Sequence, residues 1–228
     1  MTVARERTQT LINVDAGVYV PQEDSFLLSD EISSRSNMAG ARVLDLCTGS
    51  GIAAIEAARM GARDVVAYDI SADAVACASA NAAANGVQVD VRLGTIADAL
   101  LLEKFDFVVS NPPYVPSPEP PVGAGVHRAW DAGDCGRVVL DLLCTRAADL
   151  LAPEGVLLVV QSEFSGVADS MGQLQGTGLV SDVIRTTTID FGPVMQDRAS
   201  WMEETGRIAP GCRREELVLI EARRRTNR

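Results

Sequence analysis

The sequence predicts an α/β fold: a seven-stranded, mostly parallel sheet with helices on both faces and an antiparallel last strand. Three observations lead there. Strand-like apolar runs alternate with helical ones along the chain. The composition is 47% hydrophobic but only 4% aromatic, so the core must be built from Ala, Val, Leu and Ile, which suits a sheet buried on both faces. The length, 228 residues, fits one large domain better than two.

Taken in order, Arg42–Leu46 reads as the first buried strand, Gly49–Gly51 as a turn, and the Ala-rich stretch Ile52–Met60 as a helix. Asp64–Asp69 is the second strand. Ser71 is placed to cap a helix over Ala72–Asn85, which Gly86 stops. Gln88–Leu93 alternates like a third strand, and Phe105–Ser110 is a fourth, leading into the proline-rich loop Asn111–Pro121. Gly136–Leu151 is a helix, Gly155–Val160 a fifth strand and Val167–Leu174 a helix. Val180–Thr188 and Glu216–Ala222 are the last strands. Between them Ile189–Arg214 is the least readable stretch, and an antiparallel pair with an insertion fits it. Two units follow: residues 1–40 as a segment over the entrance to the site, and 41–228 as a single globular domain.

Charge and cysteine usage narrow the function classes. The net charge of −11 disfavours nonspecific binding to nucleic acid or an anionic membrane. Of the basic clusters, Arg213-Arg214 and Arg223-Arg224-Arg225, the last reads as a solvated tail. Five cysteines, Cys47, Cys77, Cys135, Cys144 and Cys212, without a CxxC pair, suit reduced thiols in a cytoplasmic protein. Met1–Thr10 is too polar for a signal peptide, and no apolar run approaches the roughly 20 residues of a membrane span. The lone histidine, His127, excludes a His-rich metal site and reads as a solvated loop residue. Trp130 reads as an anchor of its loop, and Trp201 as a cap over the active site.

Val43-Leu44-Asp45-Leu46-Cys47-Thr48-Gly49-Ser50-Gly51 joins a buried strand to a helix through a glycine turn. Glycines let the backbone approach a ligand, and the helix N-terminus favours a negative group. Asp69 ends the next strand, where a carboxylate accepts hydrogen bonds from ribose hydroxyls; its other reading is a cap for the following helix. This arrangement serves a nicotinamide dinucleotide as well as S-adenosylmethionine. Asp45 tilts the choice: at the mouth of the strand it would repel a pyrophosphate but tolerate a sulfonium and an ammonium. Its other reading is a loop-capping carboxylate.

Asn111-Pro112-Pro113-Tyr114 follows the apolar strand. An amide or aryl amine nitrogen has its lone pair delocalised, and attack on a methyl group requires that pair to be freed and aimed. The side-chain oxygen of Asn111 and the carbonyl of Pro112 each accept an N–H from such a substrate. The prolines hold the backbone so that both acceptors point correctly. Tyr114 offers a flat face. Positioning of this kind removes several kcal/mol from a barrier.

These residues together resemble the HemK/PrmC family of protein-glutamine N5-methyltransferases, and more closely its short branch without the N-terminal helical domain. The resemblance rests on Val18-Tyr19-Val20-Pro21-Gln22-Glu23-Asp24-Ser25-Phe26-Leu27-Leu28, on Asp45–Gly51, Asp69 and Asn111–Tyr114, and on Ala129-Trp130-Asp131-Ala132-Gly133 with Gly136-Arg137. It implies a Rossmann-like class I methyltransferase fold over nearly the whole chain, S-adenosyl-L-methionine as cofactor and S-adenosyl-L-homocysteine as its product. The implied acceptor is the glutamine of a Gly-Gly-Gln loop in a release factor, and members in eukaryotes and archaea work with a small zinc-binding activator subunit. By resemblance Asn111 and Pro112 bind the glutamine amide and Tyr114 packs beside it. Asp69 holds the ribose, and Asp45, Gly49 and Gly51 line the methionine end. Tyr19 and Asp24 cover the cofactor, and Thr48, Ile70, Thr95 and Asn111 complete its binding set. Thr95 stands where the family often has an acid near the adenine, with Asp98 as a substitute at different spacing. The insertion Asp190–Arg214 is longer than the short branch usually carries.

The asparagine loop alone is shared with N6-adenine methyltransferases of DNA or RNA, and a small-molecule N-methyltransferase with the insertion as its lid is a further alternative. The acidic balance and low aromatic content speak against the nucleic-acid reading.

Overall fold

In the computed structural model, which describes residues 2–5, 8–120 and 125–224, an N-terminal hairpin of β1 (Thr2–Arg5) and β2 (Thr8–Asn13) precedes the main sheet. The sheet strands are β3 (Arg42–Leu46), β4 (Asp64–Asp69), β5 (Asp90–Leu93), β6 (Phe105–Ser110), β7 (Leu151–Ser162), β8 (Leu179–Asp190) and β9 (Arg214–Arg224). They lie in the order β5-β4-β3-β6-β7-β9-β8. Neighbours run parallel from β5 to β7, while β9 is antiparallel to both β7 and β8. The helices are α1 (Glu23–Ser33), α2 (Ile52–Arg59), α3 (Ala72–Ala84), α4 (Ile96–Ala99), α5 (Val138–Leu150), α6 (Val167–Gly176) and α7 (Pro193–Glu204).

The central strands are buried almost end to end: Val43, Leu44, Val108, Val109, Leu157, Leu158 and Val159 expose none of their surface. Small aliphatic residues pack both faces, so the low aromatic content is no handicap. Strand order reverses between β3 and β6, and the crevice at the carboxyl ends of the strands there is where an open α/β sheet takes its ligand.

The first, second and fourth strands, Arg42–Leu46, Asp64–Asp69 and Phe105–Ser110, have the expected bounds, and Ser71 caps α3 by accepting from the Ala74 amide. The expected insertion between antiparallel strands is α7, started by Pro193 in its first turn. Three short features escaped the sequence. Helix α1 starts without a side-chain cap and has a weak apolar stripe, yet buries Leu28 and Ile32 in the main core. Thr95 and Asp98 form a reciprocal capping box that starts α4. The hairpin is held by side chains rather than by a sheet. The carboxamide of Asn81 bonds both N and O of Asn13, and that of Asn85 bonds both N and O of Leu11, at 2.7–3.0 Å.

The first two residues of the basic cluster near the end belong to β9 rather than to a tail: the Arg224 guanidinium donates to the Ala148 carbonyl at 2.6 Å, and Arg223 pairs with Glu221. Sequence readings on Met1, Pro121, Gly123, Ala124 and Arg225 lie outside the described residues. All five cysteines are free. Among the described residues no helix is long and apolar enough to cross a membrane, and no group of three or more His, Cys, Asp or Glu side chains is placed to hold a metal ion.

Candidate active site

The carboxyl ends of β3, β4 and β6 open into a cleft of about 310 Å³. Its floor is the turn from Asp45 to Ser50. Tyr19 and Ser25, the apolar side chains Ile70, Val138 and Leu142, and Asn111 and Pro113 just past β6 also line the cleft.

Asp45 is 2% exposed, and its Oδ2 accepts from Thr48 Oγ1 at 2.6 Å and from the Ala54 amide at 3.2 Å. It therefore both caps the loop and lines the cleft. Burial pushes its carboxyl up to about 7, against the downward pull of those two hydrogen bonds. Cys47 is the one described non-glycine residue with positive φ, 62°, a conformation that persists where surrounding structure over-determines it. Burial, then Asp69 and Asp45, raise its thiol so far that it is no thiolate nucleophile.

Asp69 caps the start of the following segment, as one of its readings expected, and it also lines the cleft. Oδ1 accepts from the Ser71 amide and Oδ2 from the Gly49 amide, each at 2.9 Å, while the residue lines the cleft. Burial raises its carboxyl above the usual range. A Cβ on Gly49 would meet no atom within 4 Å, so the turn leaves room there for a ligand. Gly51 differs. It does not line the cleft; at φ 87° its missing Cβ lets Ala78 of α3 pack against it, at 3.0 Å from where a Cβ would stand.

Asn111 and Pro113 line the cleft, while Pro112 and Tyr114 do not. The Asn111 Nδ2 donates to Ser25 Oγ at 3.2 Å, and its Oδ1 is buried with no hydrogen-bond partner. Tyr114 is 8% exposed and donates its hydroxyl to Asp24 Oδ2 at 2.9 Å; the Tyr19 hydroxyl reaches the same oxygen at 3.0 Å. Burial first, then the Asp24 charge, hold both phenols protonated far above the usual tyrosine range. Neither is a base. Asp24 itself is buried and lies outside the cleft lining.

Thr95 and Ile70 line the cleft. Asp98 is turned back onto the Thr95 amide and hydroxyl at 2.7 and 2.9 Å, so it serves as a helix cap rather than as a group facing the cleft. Trp201 does not cap the cleft either: Arg207 stacks 4.5 Å from its ring centroid, and the indole packs on the main core. Trp130 also packs on the core, as an anchor. Neither it nor His127 lines the cleft.

The loop after β6 is shaped by backbone contacts. Val115 N bonds the Trp130 carbonyl at 2.9 Å, and Ala132 N bonds that of Val115 at 3.1 Å. A Cβ on Gly136 would stand 2.3 Å from the Tyr114 carbonyl oxygen, so only glycine admits this approach. Arg137 ties the start of α5 to α6 through the Gly166 carbonyl at 2.7 Å and Ser170 Oγ at 3.2 Å. Sequence reasoning missed Ser25, Arg128, Asp131, Val138 and Leu142 as cleft residues. For Ser25 the signal was its position directly after Asp24 in the segment that carries the family resemblance; for Val138 and Leu142 it was their i, i+4 spacing.

The family model for the methyltransferase small domain matches residues 15–183. A Methanocaldococcus jannaschii protein named as a candidate protein N5-glutamine methyltransferase is 30% identical over 179 residues, spanning 78% of this chain and 89% of that one. The human methyltransferase HEMK2 is 36% identical over 151 residues, 63% of this chain and 71% of its own. In three dimensions the chain is similar to the E. cuniculi Mtq2–Trm112 complex, described as responsible for methylation of the eRF1 translation termination factor. The TM-score there is 0.62 at 21% identity, over 92% of this chain and 99% of that one; the likeness at that identity concerns the fold. With a ligand cleft at the sheet's switch point and a family model that spans most of the chain, this protein is a methyltransferase of the methyltransferase small domain family, of the HemK/PrmC kind.

Proposed function

We propose that this chain methylates the side-chain amide nitrogen of a glutamine in a protein, with S-adenosyl-L-methionine as methyl donor. The observation that carries the reading is the buried, unpartnered Oδ1 of Asn111 at the β6 end of the cleft. A buried acceptor left without a donor costs roughly 1–3 kcal/mol, and an amide N–H of the acceptor substrate relieves it.

The residues present fit that cofactor. Asp69 at the tip of β4 suits ribose hydroxyls, and Asp45 on the floor suits an ammonium. The open space at Gly49 admits the chain between them, and Ile70, Val138 and Leu142 give a flat base an apolar wall. Tyr19, Thr48 and Thr95 line the same cleft and belong to the proposed binding set. When bound, the cofactor supplies a methyl group made electrophilic by its sulfonium.

In this reading Asn111 Oδ1 accepts one N–H of the glutamine amide; the Pro112 carbonyl, which the family resemblance implies as the second acceptor, lies outside the cleft lining. The Asn111 bond holds the nitrogen in place and draws that hydrogen away from the direction in which the nitrogen lone pair attacks the methyl group. Tyr114 supports the loop from beneath through Asp24. No strong base is required, because the nitrogen sheds its proton after it gains the methyl group, and the protonated phenols nearby agree with that.

The names of the M. jannaschii and E. cuniculi proteins support a glutamine and a termination factor as acceptor. The partners in this reading are a release factor and, after the complex form of the E. cuniculi protein, a small activator subunit. The test is mass spectrometry of methyl transfer from S-adenosyl-L-methionine to a purified release factor, with Asn111→Ala as control, with and without a Trm112-type subunit. One added methyl on the Gly-Gly-Gln glutamine, lost in the variant, supports the reading. Cofactor binding without transfer under either condition overturns the release-factor assignment.

A further inference from the structure

An asparagine side chain is nearly symmetric in shape, so sterics do not decide which of its two ends faces a substrate. Hydrogen-bond polarity decides. The Asn111 carboxamide is useful only with its oxygen toward the cleft; turned over, it would oppose its own N–H groups to those of an amide.

Asp24 and Ser25, at the start of α1, carry the missing instruction. Asp24 Oδ1 accepts from the Ser25 backbone N at 2.6 Å and from Ser25 Oγ at 3.1 Å, while its Oδ2 accepts from Tyr19 and Tyr114. A carboxylate has only acceptors to offer. The Ser25 hydroxyl proton must therefore lie between Oγ and Asp24; otherwise two lone-pair oxygens would face each other. With its proton committed, Ser25 Oγ presents lone pairs to Asn111, and only the NH₂ end of Asn111 satisfies them, at 3.2 Å. The oxygen is left over, which is the orphan acceptor observed.

We propose that Asp24 and Ser25 form a polarity relay that holds the Asn111 carboxamide with its oxygen toward the substrate. Asp24 is thus a positioning residue, two hydrogen bonds from the reacting centre, rather than a direct cofactor contact. The proposal rests on the reading that Asn111 Oδ1 receives the substrate N–H.

The relay makes an unusual prediction about pairs of variants. Ser25→Ala leaves Asn111 without a preference. Asp24→Ala does worse, because the freed Ser25 hydroxyl can donate to Asn111 Oδ1 and hold it the wrong way. Expected losses in kcat are about tenfold for Ser25→Ala and about a hundredfold for Asp24→Ala, on the scale of one misplaced polar group in an active site. The double variant returns to the level of Ser25→Ala, and Ser25→Thr, which keeps the hydroxyl, recovers most of what Ser25→Ala loses. Losses that add in the double variant, or an Asp24→Ala variant no worse than Ser25→Ala, overturn the relay.

A second readout needs no turnover. The Asn111 side-chain NH₂ signal in NMR, identified by its disappearance in Asn111→Asp, should show contacts to the Ser25 β-protons in the wild type and lose them in Asp24→Ala. Contacts that persist overturn the proposal. If Asp24→Ala does not fold, the comparison of Ser25→Ala with Ser25→Thr, in kcat and in this signal, decides it. A wild type with oriented Asn111 but no glutamine methylation would instead count against the proposed function.

Discussion

The guanidinium of Arg198 donates to the carbonyl oxygen of Pro116 at 2.9 Å, joining the insertion helix α7 to the loop after Asn111. The same guanidinium is paired with Asp131 on the far arm of that loop, the two side chains being 16% and 12% exposed. The insertion is therefore a buttress for the loop after β6. Arg198→Ala should cost about 2 kcal/mol of stability, the scale of charge-assisted bonds removed from a part-buried site. It should also lower methyl transfer more than cofactor affinity. Hydrogen exchange at residues 114–117 checks it: faster exchange is expected there, and unchanged protection would show that the loop stands without α7.

Asp45 sets a pH dependence whose sign can be worked out. Its carboxyl moves from an ordinary 3.8 to about 7 on folding because of burial. The folded state thus holds a proton that the unfolded chain has released, so this group's stabilisation is full below about pH 4 and is lost as pH rises to about 7. Asp69 and Glu215, raised by burial as well, act in the same direction. Affinity for the proposed cofactor runs the opposite way, since its ammonium favours the ionised carboxylate. It should rise about tenfold per unit as pH approaches 7 and fall again as the cofactor's own α-amino group loses its proton at roughly pH 8. Calorimetric titration between pH 5.5 and 8.5 measures this, and Asp45→Asn should flatten the rising part of the profile.

Asp69→Asn should weaken cofactor binding by roughly 10- to 100-fold, the equivalent of a hydrogen bond to a charged group. It has a second effect. Both carboxylate oxygens already accept backbone amides, from Gly49 and Ser71, and an amide has only one oxygen for the two. The glycine turn should therefore lose order, seen as a lower melting temperature without cofactor. A variant with intact affinity would remove Asp69 from the proposed ribose site.

Gly51→Ala tests the division of labour between the glycines. At φ 87°, with the new methyl 3.0 Å from the Ala78 Cβ, the substitution should cost about 2 kcal/mol through backbone strain and crowding. Ala78→Gly on the same chain should recover part of that in thermal melts. No recovery would mean that φ alone sets the cost.

Much of the fold was legible because its strands are short, apolar and marked off by Gly, Asp and Pro. Asp45, Asp69 and Asn111 each stand at or just past the end of such a strand, so locating the strands located these residues too. Helix α1 was harder to read, having a weak apolar stripe and no capping side chain. Its burial comes from packing against α2 and against β7 and β9, the last two of which lie far off in the chain.

What the sequence by itself determined is the strand–helix order, the glycine turn and the asparagine loop, because periodicity, turn chemistry and proline stiffness act within a few residues. What only the tertiary structure decided is which way those groups face. Tyr114 was expected to lie beside the substrate, but folding brings it onto Asp24, 90 residues earlier. Asn111 is oriented by Ser25, 86 residues earlier, and Trp201 stacks on Arg207 instead of closing the cleft. Hydrogen-bond polarity between distant segments leaves no periodic trace in a chain; it exists only once the sheet has brought the partners together.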